Sequence, residues 1–145
     1  MKKIVICICL TIVLILGVSI YFINPSDNYE SAIEAININW NMELPIPDEG
    51  LCMVDTKAGF PADGQLFIVG KYKKADDLME KFQWDSIDTS IKNEIYEYIN
   101  SLNSKEAAKY TIDFEKAIYT KLEQNDNFLF LILDDTYLYI LDSTI

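Results

Sequence analysis

Residues 117–141 read AIYTKLEQNDNFLFLILDDTYLYIL, and the reading of this stretch decides the fold. Three apolar runs, Ala117–Leu122, Phe128–Leu133 and Tyr137–Leu141, are separated by Gln124-Asn125-Asp126-Asn127 and by Asp134-Asp135-Thr136. Asn and Asp accept positive φ and bond their own backbone, so short clusters of them between strand-forming runs mark tight hairpins. The stretch is therefore expected to be a three-stranded antiparallel meander. Its middle run, Phe128-Leu129-Phe130-Leu131-Ile132-Leu133, has no polar alternate, as expected of a central strand covered on both faces or buried at a partner interface. Six residues reach only about 20 Å as a strand, too short for a membrane span. Tyr137–Leu141 is expected at a sheet edge, with Tyr137 and Tyr139 on one face by strand alternation.

Upstream of the meander the pattern is helical. Ser104 precedes Lys105-Glu106-Ala107-Ala108-Lys109, strong helix formers, which predicts a short helix to about Phe114, although Tyr110, Ile112 and Phe114 also alternate. Ile91, Ile95, Tyr98, Ile99 and Leu102 recur at helical spacing behind a cap at Asp88 or Ser90. Ala75, Leu78, Met79 and Phe82 share another helical face, followed by a polar turn from Trp84 to Asp88. Before these helices, Leu51–Thr56 and Gln65–Tyr72 read as a hairpin around Lys57–Gly64, whose Gly59-Phe60-Pro61 and Asp63-Gly64 are turn formers. Phe60, set between turn formers, is a candidate exposed aromatic anchor for a protein partner, with Asp63 beside it. Pro45 and Pro47 make Asn41–Gly50 a linker or edge segment. Asp27 and Glu30 have the spacing of a capping box, and Tyr29, Ile33, Ile36 and Trp40 follow at helical spacing.

Segregated strand and helix blocks argue for an α+β fold: an antiparallel sheet of about five strands with two to four helices packed on one side of it. Ahead of it stands Ile4–Ile23, twenty uncharged residues closed by Asn24-Pro25. At about 1.5 Å per residue such a helix spans a bilayer's hydrocarbon core of roughly 30 Å. Lys2 and Lys3 precede this run, and no lysine follows it until Lys57, so the N-terminus is expected in the cytoplasm and the bulk of the chain outside. The competing reading is a cleaved signal sequence, for which Gly17-Val18-Ser19 offers small residues, and the protein would then be secreted. The expected organisation is an anchor over 1–23, an amphipathic helix and Pro-containing linker over 24–50, and an extracytoplasmic domain over 51–145.

Composition narrows the chemistry. The chain has no His, and all twelve basic residues are lysine. Triads in their usual forms and bidentate Arg clamps on phosphate are thereby absent. Beyond the apolar run stand ten lysines against 23 Asp and Glu, which makes nucleic acid a poor partner and favours a basic protein. Cys52 is the one cysteine past residue 9, so no disulfide forms within the domain. No stretch has EF-hand spacing, and the adjacent acids Asp134-Asp135, Asp76-Asp77 and Asp48-Glu49 read as surface charge. No catalytic residue, metal ligand or cofactor is expected, and the protein is not expected to be an enzyme.

The N-terminal anchor, the Pro-x-Pro segment, Gly59-Phe60-Pro61-Ala62-Asp63-Gly64 before a strand, Trp84 after a helix and a strand pair around Asp134-Asp135 together resemble small membrane-anchored bacterial proteins. Some of these are immunity proteins that neutralise an extracytoplasmic toxin. The likeness is one of build and carries no functional residue over. It implies a membrane-anchored protein-binding domain, an immunity or inhibitor protein for a basic partner. The alternatives are an assembly subunit of an envelope complex and a carboxylate-dependent enzyme. The candidate contact residues are Phe60, Asp63, Tyr137 and Tyr139.

Overall fold

The computed structural model describes residues 25–57 and 63–144. The apolar segment Ile4–Ile23, with both its anchor and signal readings, lies outside the described residues, and so does Phe60. Among the described residues no helix is long and apolar enough to cross a membrane.

The elements in chain order are α1 (Pro25–Trp40), β1 (Glu49–Asp55), β2 (Gly64–Lys71), α2 (Asp76–Lys81), β3 (Asp85–Ser86), α3 (Thr89–Ser101), a 3-10 turn (Ala107–Lys109), β4 (Ile118–Gln124), β5 (Asn127–Asp134) and β6 (Tyr137–Thr144). The fold is α+β, and its strands form one antiparallel six-stranded sheet in the order β1-β2-β6-β5-β4-β3. The meander exists as read: the backbone turns with positive φ at Asn125 and at Asp135, 56° in each case. Asn and Asp enter that region at low cost.

Four expectations change. The sheet has six strands rather than about five, because part of the predicted polar turn after Trp84 pairs Asp85 with Tyr119 and Ser86 with Ile118. Tyr137–Leu141 is not an edge: β6 pairs with β2 from Gly64↔Thr144 to Lys71↔Tyr137, joining the N-terminal hairpin to the meander. The predicted helix over 104–114 shrinks to the 3-10 turn Ala107–Lys109, with extended backbone at Tyr110. Lastly, helices cover both faces of the sheet, not one.

This two-sided cover explains the missing polar alternates. Leu129, Leu131 and Leu133 of β5 join Leu66, Ile68, Leu138 and Ile140 in a core closed by Ile33 and Ile36 of α1 and Leu78 of α2. Phe130 and Ile132 face the other way, with Phe67, Val69, Tyr139 and Leu141, under Ile95 and Tyr98 of α3 and Leu102 just after it. Burying each such side chain contributes about 1.5–3 kcal/mol, so neither face can afford a polar run. Tyr29, Ile33, Ile36 and Trp40, the predicted face of the first helix, all pack toward the sheet. Asp88 caps α3 by accepting from Ile91 N at 2.8 Å. Asn37 clamps the linker after α1, donating to Leu44 O at 2.9 Å and accepting from Leu44 N at 2.6 Å.

Candidate functional site

The register gives the sheet two distinct ends. At the Lys71↔Tyr137 end, Gly50 pairs with Gly70, and the Tyr29 ring fills the space that a Cβ on Gly50 would take. The first turns of α1 therefore lie there. At the Gly64↔Thr144 end, Trp40 in the last turn of α1 donates from Nε1 to Asp142 Oδ1 at 3.1 Å. Sixteen helical residues rise about 24 Å, close to the roughly 23 Å of the seven strand steps from Gly64 to Lys71. The described chain thus enters at one end of the sheet, and the β1–β2 connection leaves from the other.

The base of that connection is locked by a buried acid. Asp142 is 2% exposed in a strand of apolar residues. Its Oδ2 accepts from Lys57 Nζ at 2.5 Å, while Trp40 satisfies its other oxygen. On the opposite face of the sheet, Tyr98 Oη lies 3.0 Å from Leu66 O and 2.8 Å from Asp142 O. Burial drives the Tyr98 phenol well above its ordinary range, and the Asp142 charge adds to that. Thr56 and Gln65 close the hairpin with Thr56 N donating to Gln65 O at 2.8 Å. Gly64 follows at φ +149°, where a Cβ would lie 3.0 Å from Lys57 backbone atoms, so the turn back into β2 requires glycine.

This end carries uncompensated negative charge. Asp55, Asp63 and Asp126 are exposed at the strand ends and turns with no ion-pair partner among the described residues, and Glu123 is exposed there but paired with Lys121. Lys57 is spent on Asp142, and Lys121 bonds Glu94 at 2.7 Å and Glu123 at 2.6 Å while lying over the Phe128 and Phe130 rings. Partial burial opposes the Lys121 charge, but the bonds to Glu123 and Glu94 outweigh it and raise the pKa of the ammonium.

The predicted contact residues do not share a surface. Asp63 is exposed beside the β1–β2 connection. Tyr137 lies at the opposite end of β6, about 23 Å away by strand rise, half-buried with Lys71 Nζ 5.8 Å from its ring centre. Tyr139 does share the face of Tyr137, as alternation requires, but it is inside the protein at 4% exposure, its hydroxyl donating to Thr111 O at 3.0 Å. Burial lifts its pKa to about 12. A strand between β2 and β5 has no free edge to offer a partner. Sequence reading does not bring Asp142 and Lys57 together and names Trp40 only on the apolar face of the first helix; the one available signal is an acid directly following the apolar run Tyr137–Leu141.

A second feature lies on the α3 side. The C-terminal half of α3 and residues 103–114 wall an open cleft of about 450 Å³. Tyr96 and Phe114 meet there at 5.0 Å between ring centres, and Lys92 Nζ sits over both rings at 5.9 and 5.2 Å. Ile99, Tyr110 and Ile112 complete the apolar lining, with Asn100, Asn103 and Lys105 at the rim. Tyr110 is held by donating to Leu51 O at 2.8 Å. The cleft exists because the helical turn stops at Lys109, Tyr110 turns extended, and residues 111–114 run on without helix. Among the described residues, no group of three or more His, Cys, Asp or Glu is placed to hold a metal ion. Comparison with protein-family models, curated proteins and solved structures finds no match to the chain.

Proposed function

We propose that the chain is a membrane-anchored, extracytoplasmic protein-binding domain, of immunity or inhibitor type, that meets a basic partner at the β1–β2 end of its sheet. The observation that supports this reading is the opposition of the two ends. The chain arrives from Ile4–Ile23 at the Tyr29 end, and the acidic end, with its locked connection, lies about 23 Å further along β2. An anchor at the first end holds the second away from the bilayer. Exposed Asp55, Asp63 and Asp126, which have no ion-pair partner among the described residues, steer a basic protein toward that end.

The test is the kinetics of capture by the full chain in lipid nanodiscs. A partner from the extracytoplasmic fraction should associate faster at low salt, and the triple variant Asp55→Lys, Asp63→Lys, Asp126→Lys should slow that association by at least about tenfold. The difference should collapse near 1 M salt, where screening acts within about 3 Å. Phe60→Ala should act on dissociation instead, by roughly thirtyfold if the ring contributes about 2 kcal/mol. An association rate indifferent to both salt and charge reversal overturns the reading.

A further inference from the structure

Beyond the protein-binding reading, and independently of it, we propose that the cleft between α3 and residues 103–114 binds a small free carboxylate with a flat apolar body. Its volume of about 450 Å³ lies within the range of small-ligand sites, roughly 300–1,000 Å³. The apolar part of such a ligand has a ready wall. Tyr96 and Phe114 hold each other at 5.0 Å, and Lys92 fixes both by lying over their rings. Tyr96 stays 45% exposed, an aromatic surface that nothing in the described chain covers. A flat ligand gains more against such a wall than an aliphatic one of equal area, because ring pairs add about 0.5–1.5 kcal/mol beyond burial.

The charge of the ligand follows from the lining. The chain carries 23 acidic residues, yet among the described residues no acid lines the cleft, and the one charged lining residue is Lys105. Of the acids that adjoin lining residues in sequence, Glu106 pairs with Lys109 at 2.7 Å and Asp113 with Lys116 at 3.0 Å, while Glu97 and Glu115 are exposed and stand outside the lining. Lys105 has no ion-pair partner among the described residues. One effect opposes an anion here: the C-terminus of α3 points its carbonyls toward this region, equivalent to about half a negative charge. Those carbonyls are partly occupied, since Leu102 N donates to Tyr98 O at 3.3 Å and Asn103 N to Asn100 O at 3.1 Å. A full ammonium charge with three donors outweighs a half charge already partly capped. The Asn100 and Asn103 side chains at the rim can supply further amide donors to a carboxylate.

The probe is 4-phenylbutyrate, titrated calorimetrically into the full chain in zwitterionic nanodiscs, with empty nanodiscs as blank. The comparators are 4-phenylbutan-1-ol and 4-phenylbutylammonium, which share its body and differ in head group. The carboxylate should bind about fivefold tighter than the alcohol, the size of one exposed ion pair, and the ammonium more weakly than either. Lys105→Gln should bring the carboxylate down to the alcohol's affinity and leave the alcohol unchanged. Tyr96→Ala, at an exposed position, should weaken all three ligands together, and Ala108→Phe, which fills the cleft, should abolish binding. Equal affinities for the three head groups, an unchanged carboxylate affinity in Lys105→Gln, or no saturable heat above the blank would each overturn the proposal.

Discussion

Replacing Lys57 with Met is expected to destabilise the fold by about 3 kcal/mol. Met keeps the apolar stem of the lysine but withdraws an ammonium from 2.5 Å, leaving a carboxylate that is 2% exposed. Removing one partner of a buried ion pair costs about 3–5 kcal/mol, because the other charge stays desolvated. The lower end applies here. Trp40 Nε1 still donates to Asp142 at 3.1 Å, and the Lys57 side chain is 15% exposed, so water can reach the gap. Urea unfolding followed by the fluorescence of Trp40 and Trp84 reads the change directly. With a urea dependence of about 1.5 kcal/mol per molar, the midpoint should fall by about 2 M. The double variant Lys57→Met, Asp142→Leu replaces the whole pair with apolar groups and should return to within about 1 kcal/mol of the parent, the remainder being the half-buried Trp40 Nε1 donor that loses its acceptor. If Lys57→Met alone stays within about 0.5 kcal/mol, the range of ordinary surface changes, then Asp142 is not the buried charge that the structure makes it.

The remaining expectations concern packing and titration. A Cβ at Gly50 would lie 2.6 Å from two Tyr29 ring atoms, so Gly50→Ala should cost about 1–3 kcal/mol, and Tyr29→Ala should largely relieve that cost in a double-mutant cycle. Burial raises the phenols of Tyr72, Tyr98 and Tyr139 above the usual 10.0, Tyr139 to about 12. Above pH 10 the unfolded chain then holds fewer protons than the folded one. Stability should be full below pH 10 and fall as pH rises through 10 to 12, and urea midpoints unchanged across that window would contradict the burial of these hydroxyls. Cys52 is buried and its thiol pKa is raised by burial, so in a Cys7→Ser, Cys9→Ser background a thiol reagent should label it only at the rate of unfolding. Fast labelling of the native protein would refute that placement. Reductant should leave the thermal midpoint of the same variant unchanged, since Cys52 has no intramolecular partner there.

The strands were legible because period and turn chemistry agree on them. Asn125 and Asp135 mark the two hairpins, and the alternation from Phe128 to Leu133 carries one set of side chains to each face. What periodicity could not supply was which strand meets which across a long connection. β2 and β6 are separated by two helices in sequence, and nothing in Gln65–Tyr72 or Tyr137–Leu141 announces their pairing. Placing β6 at an edge then led to Tyr139 as a contact residue, when it is in fact a core residue held to Thr111. The doubly apolar run Phe128–Leu133 fits cover on both faces or a partner interface, and the structure has the first, with α1 and α2 on one side and α3 on the other. The cleft was illegible for a different reason. Lys105–Lys109 has strong helix propensity, yet Tyr110 leaves the helix to bond Leu51 O and Ile112 joins the core, a tertiary contest that local propensity does not see.

The position of Asp142 bears on how this sheet finds one register. β6 is the joint between hairpin and meander, paired with β2 over Tyr137–Thr144 and with β5 from Tyr137 to Ser143. A slip of one residue against its neighbours would exchange its two faces, moving Leu138, Ile140 and Asp142 toward α3 and Tyr139 and Leu141 toward α1. The apolar residues would tolerate the exchange, because both faces are buried and both cores accept Leu and Ile. Asp142 would not. It would face Tyr98 and the phenylalanines of the α3 core, cut off from Lys57 and Trp40, and an isolated buried carboxylate costs several kcal/mol. The pair therefore adds little to stability against an apolar replacement, yet discriminates strongly between registers. In the Lys57→Met, Asp142→Leu variant that discrimination is gone while the stability remains. A second set of amide signals confined to β6 and its two neighbours is the expected signature, and a single set would mean that the turns at Asn125 and Asp135, with the buried Tyr139 bond to Thr111, fix the register without Asp142.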